Sequence, residues 1–158
     1  MQLLIWLVVL VAAALVAARF NVFSGSQPGG LGLRDGKLKP PSKAPNSVSS
    51  QAALWPDHAQ REYAGIAPLA LRGDGPATIA RLAQIIESMD GARIIERKPD
   101  YLYAQFTTKL MRFVDDAEFW FDPSSGVVQV RSASRIGRKD LGVNRARIEF
   151  LRARLADR

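Results

Sequence analysis

The alternation of apolar and polar residues changes character several times along this chain. Leu3 to Ala18 is sixteen residues without a charged or polar side chain, too uniform for a surface helix, which shows a polar face. At about 1.5 Å rise per residue the run falls slightly short of a bilayer core, and continuing past a snorkelling Arg19 to Phe23 makes up the length. A single-pass anchor over residues 1–23, in contact with the lipid bilayer through residues 3–23, is the first reading. Its rival is a cleaved signal peptide, because Val16-Ala17-Ala18 ends in small residues, although no Lys or Arg precedes the run. Residues 24–50 then lose periodicity. They are rich in Gly and Pro with few large apolar side chains, so they read as a flexible linker that cannot offset its own chain entropy.

The pattern returns in residues 51–158, which predict one globular domain. Ile66 to Leu71 reads as a short edge strand, Pro68 keeping it from the sheet centre. Asp74-Gly75-Pro76 opens a helix whose apolar side is Ile79, Leu82, Ala83, Ile86 and Met89, ending by Gly91. Ala92 to Arg97 and Tyr101 to Thr108 alternate as strands around a turn at Lys98-Pro99-Asp100. Asn144 is the expected N-cap of a last helix, Arg145 to Ala156, with Ala146, Ile148, Leu151 and Leu155 on its apolar side.

Between them lies a hairpin. Phe113, Ala117, Phe119 and Phe121 share one phase with Asp115, a carboxylate where the pattern otherwise points to a core. Val114, Asp116, Glu118, Trp120 and Asp122 share the other. After the turn Asp122-Pro-Ser-Ser-Gly126, Val127 to Arg135 alternates again. Pairing Asp122 with Val127 sets Phe121 against Val128, Phe119 against Val130, Glu118 against Arg131 and Asp115 against Ser134. A slip of one residue would set Phe against Gln and Glu against Val, so the pattern selects the register. The fold expected is α+β, an antiparallel sheet of about five strands packed by two helices, preceded by an N-terminal transmembrane helix.

Charge and composition narrow the function. The chain has 158 residues and a formal net charge of +7. Residues 131–158 carry nine basic and three acidic residues, whereas residues 51–130 carry eight and eleven. Nucleic acid is an unfavoured partner all the same, since no helix-turn-helix, zinc-knuckle or aromatic-plus-basic RNA motif is present. Absence of cysteine excludes disulfides, thiolate metal sites and cysteine nucleophiles. The one histidine, His58, lacks neighbours at a metal-binding spacing, and no cofactor or metal is called for.

The candidate site is the charged face of the hairpin. Asp116, Glu118, Arg131 and Arg135 share it, and Arg138 follows in the glycine-rich loop before the last helix. The arginines near that helix start suit an anionic ligand, phosphate or carboxylate. The plain alternative is that they pair with Asp115, Asp116, Glu118 and Asp140 inside the protein, as cross-strand charges often do. An enzyme, for instance a hydrolase, would draw on Asp116 and Glu118, roughly 7 Å apart on one strand face; Asp115 and Asp116 point to opposite faces and cannot act as a pair. No nucleophile elbow or phosphate-binding glycine loop is present. A binding or accessory module at the membrane, with an anionic ligand or a membrane-protein partner, is the reading preferred over an enzyme.

Three stretches also carry a resemblance. LYAQFTTKLMRFVDDAEFWFD, VQVRSASRIGRKDLGVNRARIEFLRARL and PNSVSSQA together resemble the uncharacterised bacterial and plastid family catalogued as domain of unknown function 1499, over about Leu38 to Leu155. The resemblance implies a compact α+β domain behind a membrane anchor or export signal, with no established activity. By position its motif residues are Asp115, Asp116, Arg131, Ser132, Ser134, Arg135, Gly137, Asp140, Gly142, Asn144 and Arg145. Many relatives show a cysteine pair where this chain has Pro41 and Ser47, which implies an exported domain if the pair is a disulfide. Positive charges, Arg19, Arg34, Lys37, Lys39 and Lys43, all follow the anchor and pull the other way. The expectation is a single-pass protein of the bacterial cytoplasmic membrane with the domain on the periplasmic side.

Overall fold

A computed structural model describes residues 1–157; Arg158, the last basic residue counted above, lies outside them. The apolar N-terminal run forms helix α1, Gln2–Arg19, with a mean hydropathy of 2.2. Its 18 residues measure about 27 Å, close to a bilayer core. The helix does not continue to Phe23 as expected: Phe20 caps it, and Asn21 turns the chain with φ of 56°. By length and composition α1 is the one described helix able to cross a membrane.

The rest is an α+β domain built on a six-stranded antiparallel sheet: β1 Ser47–Ser49, β2 Leu69–Ala70, β3 Ala92–Arg97, β4 Tyr101–Thr107, β5 Val114–Asp122 and β6 Val127–Ser134. Their order is β1-β6-β5-β4-β3, with β2 also on the outer edge of β6. Pairing of β5 with β6 follows the register that the alternation selects, including Phe119 with Val130, Glu118 with Arg131 and Asp115 with Ser134.

Three further helices complete the domain: α2 Arg61–Ala64, α3 Gly75–Glu87 and α4 Val143–Ala156. In α3, Asp74 caps the start by accepting from the Ala77 amide at 2.7 Å, and Pro76 occupies the first turn, where its missing N–H costs nothing. Ile79, Leu82, Ala83 and Ile86 bury one side of it. Together with Ile148, Leu151 and Leu155 of α4 they cover Leu102, Ala104, Ala117, Phe119, Val128 and Val130 of the sheet. Gly75 lets α3 approach that sheet, because a β-carbon there would fall well inside contact distance of atoms of the Phe121 ring.

The last helix departs from expectation in two respects. Its N-cap is Gly142 at φ 84°, and Asn144 is a fully buried residue of the first turn. Ala146 faces solvent instead of the sheet. Asn144 is retained inside because its amide is fully engaged: it donates to Asn46 O, Ser134 Oγ and Asp140 Oδ2, and accepts from Ser132 Oγ.

A further departure concerns residues 24–50. Read in sequence as a flexible linker, this segment closes over the sheet face opposite the two helices. Leu38, 1% exposed, packs with Tyr101 and Tyr103, flanked by Leu31 and Trp120. Its amide donates to Gln51 Oε1 at 2.8 Å. Residues 47–49 become strand β1. The segment lacks the helical and strand periodicities that mark burial because it inserts one large side chain and a few backbone groups, and its partners lie far away in sequence.

Candidate functional site

Alternation along β4, β5 and β6 sends Tyr101, Tyr103, Asp116, Glu118, Arg131 and Arg135 to the face beneath residues 24–43. On an open sheet such charges would be solvated. Here Glu118 is fully buried, Asp116 is 1% exposed and Arg131 3% exposed. Asp116 accepts two parallel bonds from Arg135, Nε to Oδ2 and Nη2 to Oδ1, both 2.8 Å. That fork-on-carboxylate geometry is the strongest form of the pair. The Tyr103 hydroxyl donates to the same Oδ1 and itself accepts from Gln105 Nε2.

Glu118 is held differently. Its Oε1 accepts from the Gly32 amide at 2.6 Å and from the Tyr101 hydroxyl at 2.8 Å. Arg131 Nη1 lies 3.8 Å from Oε2, too long for a hydrogen bond, and both atoms are buried without a hydrogen-bond partner. The arginine's one bond to this covering segment is Nε to Pro40 O at 3.3 Å. Loss of hydration pushes the Glu118 carboxyl above its usual range despite the Gly32, Tyr101 and Arg131 contacts, and pulls the Arg131 guanidinium down. Burial also raises Tyr103, to about 12, with the bond to Asp116 adding to it. For Arg135, the bond to Asp116 raises the pKa further.

A cleft of about 520 Å³ opens along the edge of this cluster, lined by Lys39, Lys43, His58, Asp116, Arg131 and Arg135 among others. Four basic side chains there face a single carboxylate. Asp116 has both oxygens hydrogen-bonded, whereas Glu118 has only Oε1 engaged and leaves Oε2 without a hydrogen bond. Among the described residues no group of three or more His, Asp or Glu side chains is placed to hold a metal ion.

The other candidates fall elsewhere. Asp115, on the opposite sheet face, accepts from Arg147 Nη2 at 2.6 Å. That arginine also donates to Ser132 Oγ and Asn144 Oδ1 and stacks on Phe106, its guanidinium 4.5 Å from the ring centre. Ser132, Ser134, Asp140 and Asn144 therefore form a polar network under α4, and Gly137 joins it by accepting from Asn46 Nδ2. The helix start is not open to an external anion: Asp140 already accepts from the Gly142 and Asn144 amides. Burial alone would raise Asp140, but bonds from Tyr63, Asn144 and Gly142 outweigh it and hold its pKa below the usual range. Arg138 is exposed on the loop, outside the cleft. Arg145 donates to Tyr63 O at 2.6 Å.

The residues of the two polar networks, one on each sheet face, together with Leu38 of the covering segment span residues 38 to 147. The family described as "Protein of unknown function (DUF1499)" matches residues 37–155. The chain belongs to the DUF1499 family. No curated protein and no solved structure matches it. The DUF1499 match begins beside Leu38, so the family region takes in the part of the covering segment that holds Leu38 and β1, ahead of the Gln51 boundary expected from composition, and leaves Gly32 outside it.

Sequence reasoning missed Arg147, Tyr101, Tyr103, Lys39 and Lys43. Arg147 had a signal, since it sits three residues after Asn144 and one before Ile148, on the buried stripe of α4. Tyr101 and Tyr103 alternate in phase, but their side of the sheet is settled only by the pairing of Tyr103 with Glu118. Nothing in the sequence signals that Lys39 and Lys43 return to the hairpin.

Proposed function

We propose that this DUF1499 chain is a single-pass membrane-anchored binding module whose basic cleft takes a small anion, a phosphate or carboxylate group. The observation that carries it is Arg131: a guanidinium 3% exposed, forming part of the cleft wall, with Nη1 unpartnered. A buried cation without full hydrogen bonding is costly, and an anion beside it relieves that cost. Lys39, Lys43 and Arg135 add positive charge along the same wall, and electrostatic complementarity in a partly dry cleft favours anions. The membrane helix supports a role beside the bilayer.

Thermal unfolding of the full chain in detergent, with inorganic phosphate or acetate compared against chloride at equal ionic strength, tests this. Phosphate or acetate is expected to raise the melting temperature, and Lys43→Ala, on the exposed rim, to weaken the rise without lowering the melting temperature of the free protein. Equal effects of all three anions would refute the reading.

A further inference from the structure

The end of the domain nearest α1 carries a second surface. Four residues after α1 ends, the chain is already packed on the domain: the Phe23 ring lies 5.9 Å from the Phe113 ring, and Gly25, at φ 64°, leaves room only for the side chains of Arg135 and Ile136 against it. The last turns of α1, at Leu15 and Arg19, share a cavity of about 520 Å³ with Lys109, Leu110 and Arg112 of the β4–β5 loop. That loop therefore stands level with the end of the apolar helix.

Beside it runs the β6–α4 loop. A cleft of about 260 Å³ lies between the two, lined by Phe113, Ile136, Leu141 and Val143 among others. At this end the apolar side chains are turned outward: Leu141 is 91% exposed and Leu110 73%. Leu141 and Arg112 also have positive φ, 52° and 59°, conformations a bulky residue rarely adopts and which the surrounding loop must enforce. Lys109, Arg112, Arg138 and Lys139 are interleaved with these residues. The one acid in either loop, Asp140, is buried and already bonded to Tyr63 and Asn144. Outward apolar side chains among cations that make no salt bridge among the described residues, continuous with a membrane helix, match an anionic bilayer surface.

We infer that the two loops dock on the membrane, Leu110 and Leu141 entering the headgroup region while Lys109, Arg112, Arg138 and Lys139 contact anionic phospholipid, so that the domain lies against the bilayer. The inference rests on α1 spanning that bilayer, and is independent of any ligand in the basic cleft. Docking holds the segment over Glu118 close to the membrane plane, since it leaves α1 directly.

Because the chain has no cysteine, single-cysteine variants of the full protein carry the test. Leu110→Cys, Leu141→Cys, Lys98→Cys and Leu10→Cys, each labelled with an environment-sensitive fluorophore, are placed in vesicles of phosphatidylcholine mixed with phosphatidylglycerol. Quenching is compared between brominated lipid and aqueous iodide. Lys98 is at the far end of the sheet, in the β3–β4 turn. The expected result is lipid quenching at Leu10, Leu110 and Leu141 and iodide quenching at Lys98, with Lys109→Glu plus Lys139→Glu returning both loop labels to iodide. Lipid quenching at Leu10 with iodide quenching at both loops would overturn the docking alone. Iodide quenching at Leu10 would overturn the membrane span and the docking with it. Loop labels that enter pure phosphatidylcholine equally well would remove the anionic lipid from the proposal.

Discussion

Glu118 and Arg131 face each other across β5 and β6 at 3.8 Å, buried, with neither the carboxylate Oε2 nor the guanidinium Nη1 hydrogen-bonded. They stand in the middle of a face where every other buried charge is paired at bonding distance. A buried ion pair with incomplete hydrogen bonding is poor value as a source of stability, which sets this pair apart from Asp116 with Arg135.

The pH dependence of Glu118 follows from that geometry. Its folded pKa is raised from 4.5 by burial, so the folded state binds the proton more tightly than the unfolded chain. Stability tied to this group is then present at low pH and falls as pH rises from the unfolded pKa through the folded one. Urea unfolding of wild type against Glu118→Gln is expected to show the difference moving against wild type as pH climbs above 4.5. A difference independent of pH would contradict the raised pKa.

Removing an arginine from a completed pair should act more strongly. Arg135→Ala leaves Asp116 with the Tyr103 bond alone, and Arg147→Ala leaves Asp115 buried on the helix side. Each is expected to cost about 3–5 kcal/mol, read as a shift of the urea midpoint at unchanged slope. A cost under about 1 kcal/mol, the range of exposed pairs, would mean that these faces are hydrated.

Leu38 tests whether the covering segment belongs to the folded unit. Its side chain is 1% exposed against Tyr101 and Tyr103, so Leu38→Ala should cost about 2–5 kcal/mol. A tethered but undocked linker would show no loss in the same urea experiment.

The tyrosines give a spectroscopic check. All three are shifted up: Tyr101 mainly by burial, Tyr103 to about 12 by burial and the bond to Asp116, and Tyr63 chiefly by donating to Asp140. Ultraviolet titration should show no tyrosinate from Tyr101 and Tyr103 near the ordinary pKa of 10.0 while the chain is folded. The unfolded chain can release those protons, so stability declines as pH rises above that value. Ionisation of two or more tyrosines near 10.0 in the native protein would count against the buried face, which holds Tyr101 and Tyr103.

Much of this was legible in local pattern. A period of two fixes which side of β5 carries Asp116 and Glu118, and only one register sets Phe119 on Val130 and Glu118 on Arg131. The apolar stripe of α3 and the cap at Asp74 are equally local, as is the uniform run that forms α1. Asn144 was drawn to the helix cap by residue type, but hydrogen bonds to Asn46, Ser132, Ser134 and Asp140, Asn46 98 residues away, outweigh that preference and take it inside.

What alternation alone determined was the phase of the charged residues and the α+β frame that carries them. Whether that phase faced water was decided by tertiary structure. Residues 24–43 return over the sheet through Leu38, Gly32 and Pro40, contacts with no periodicity to announce them. That return converts an ordinary exposed row of cross-strand charges into a buried one, because removing water is what shifts Glu118 and leaves Arg131 short of a partner.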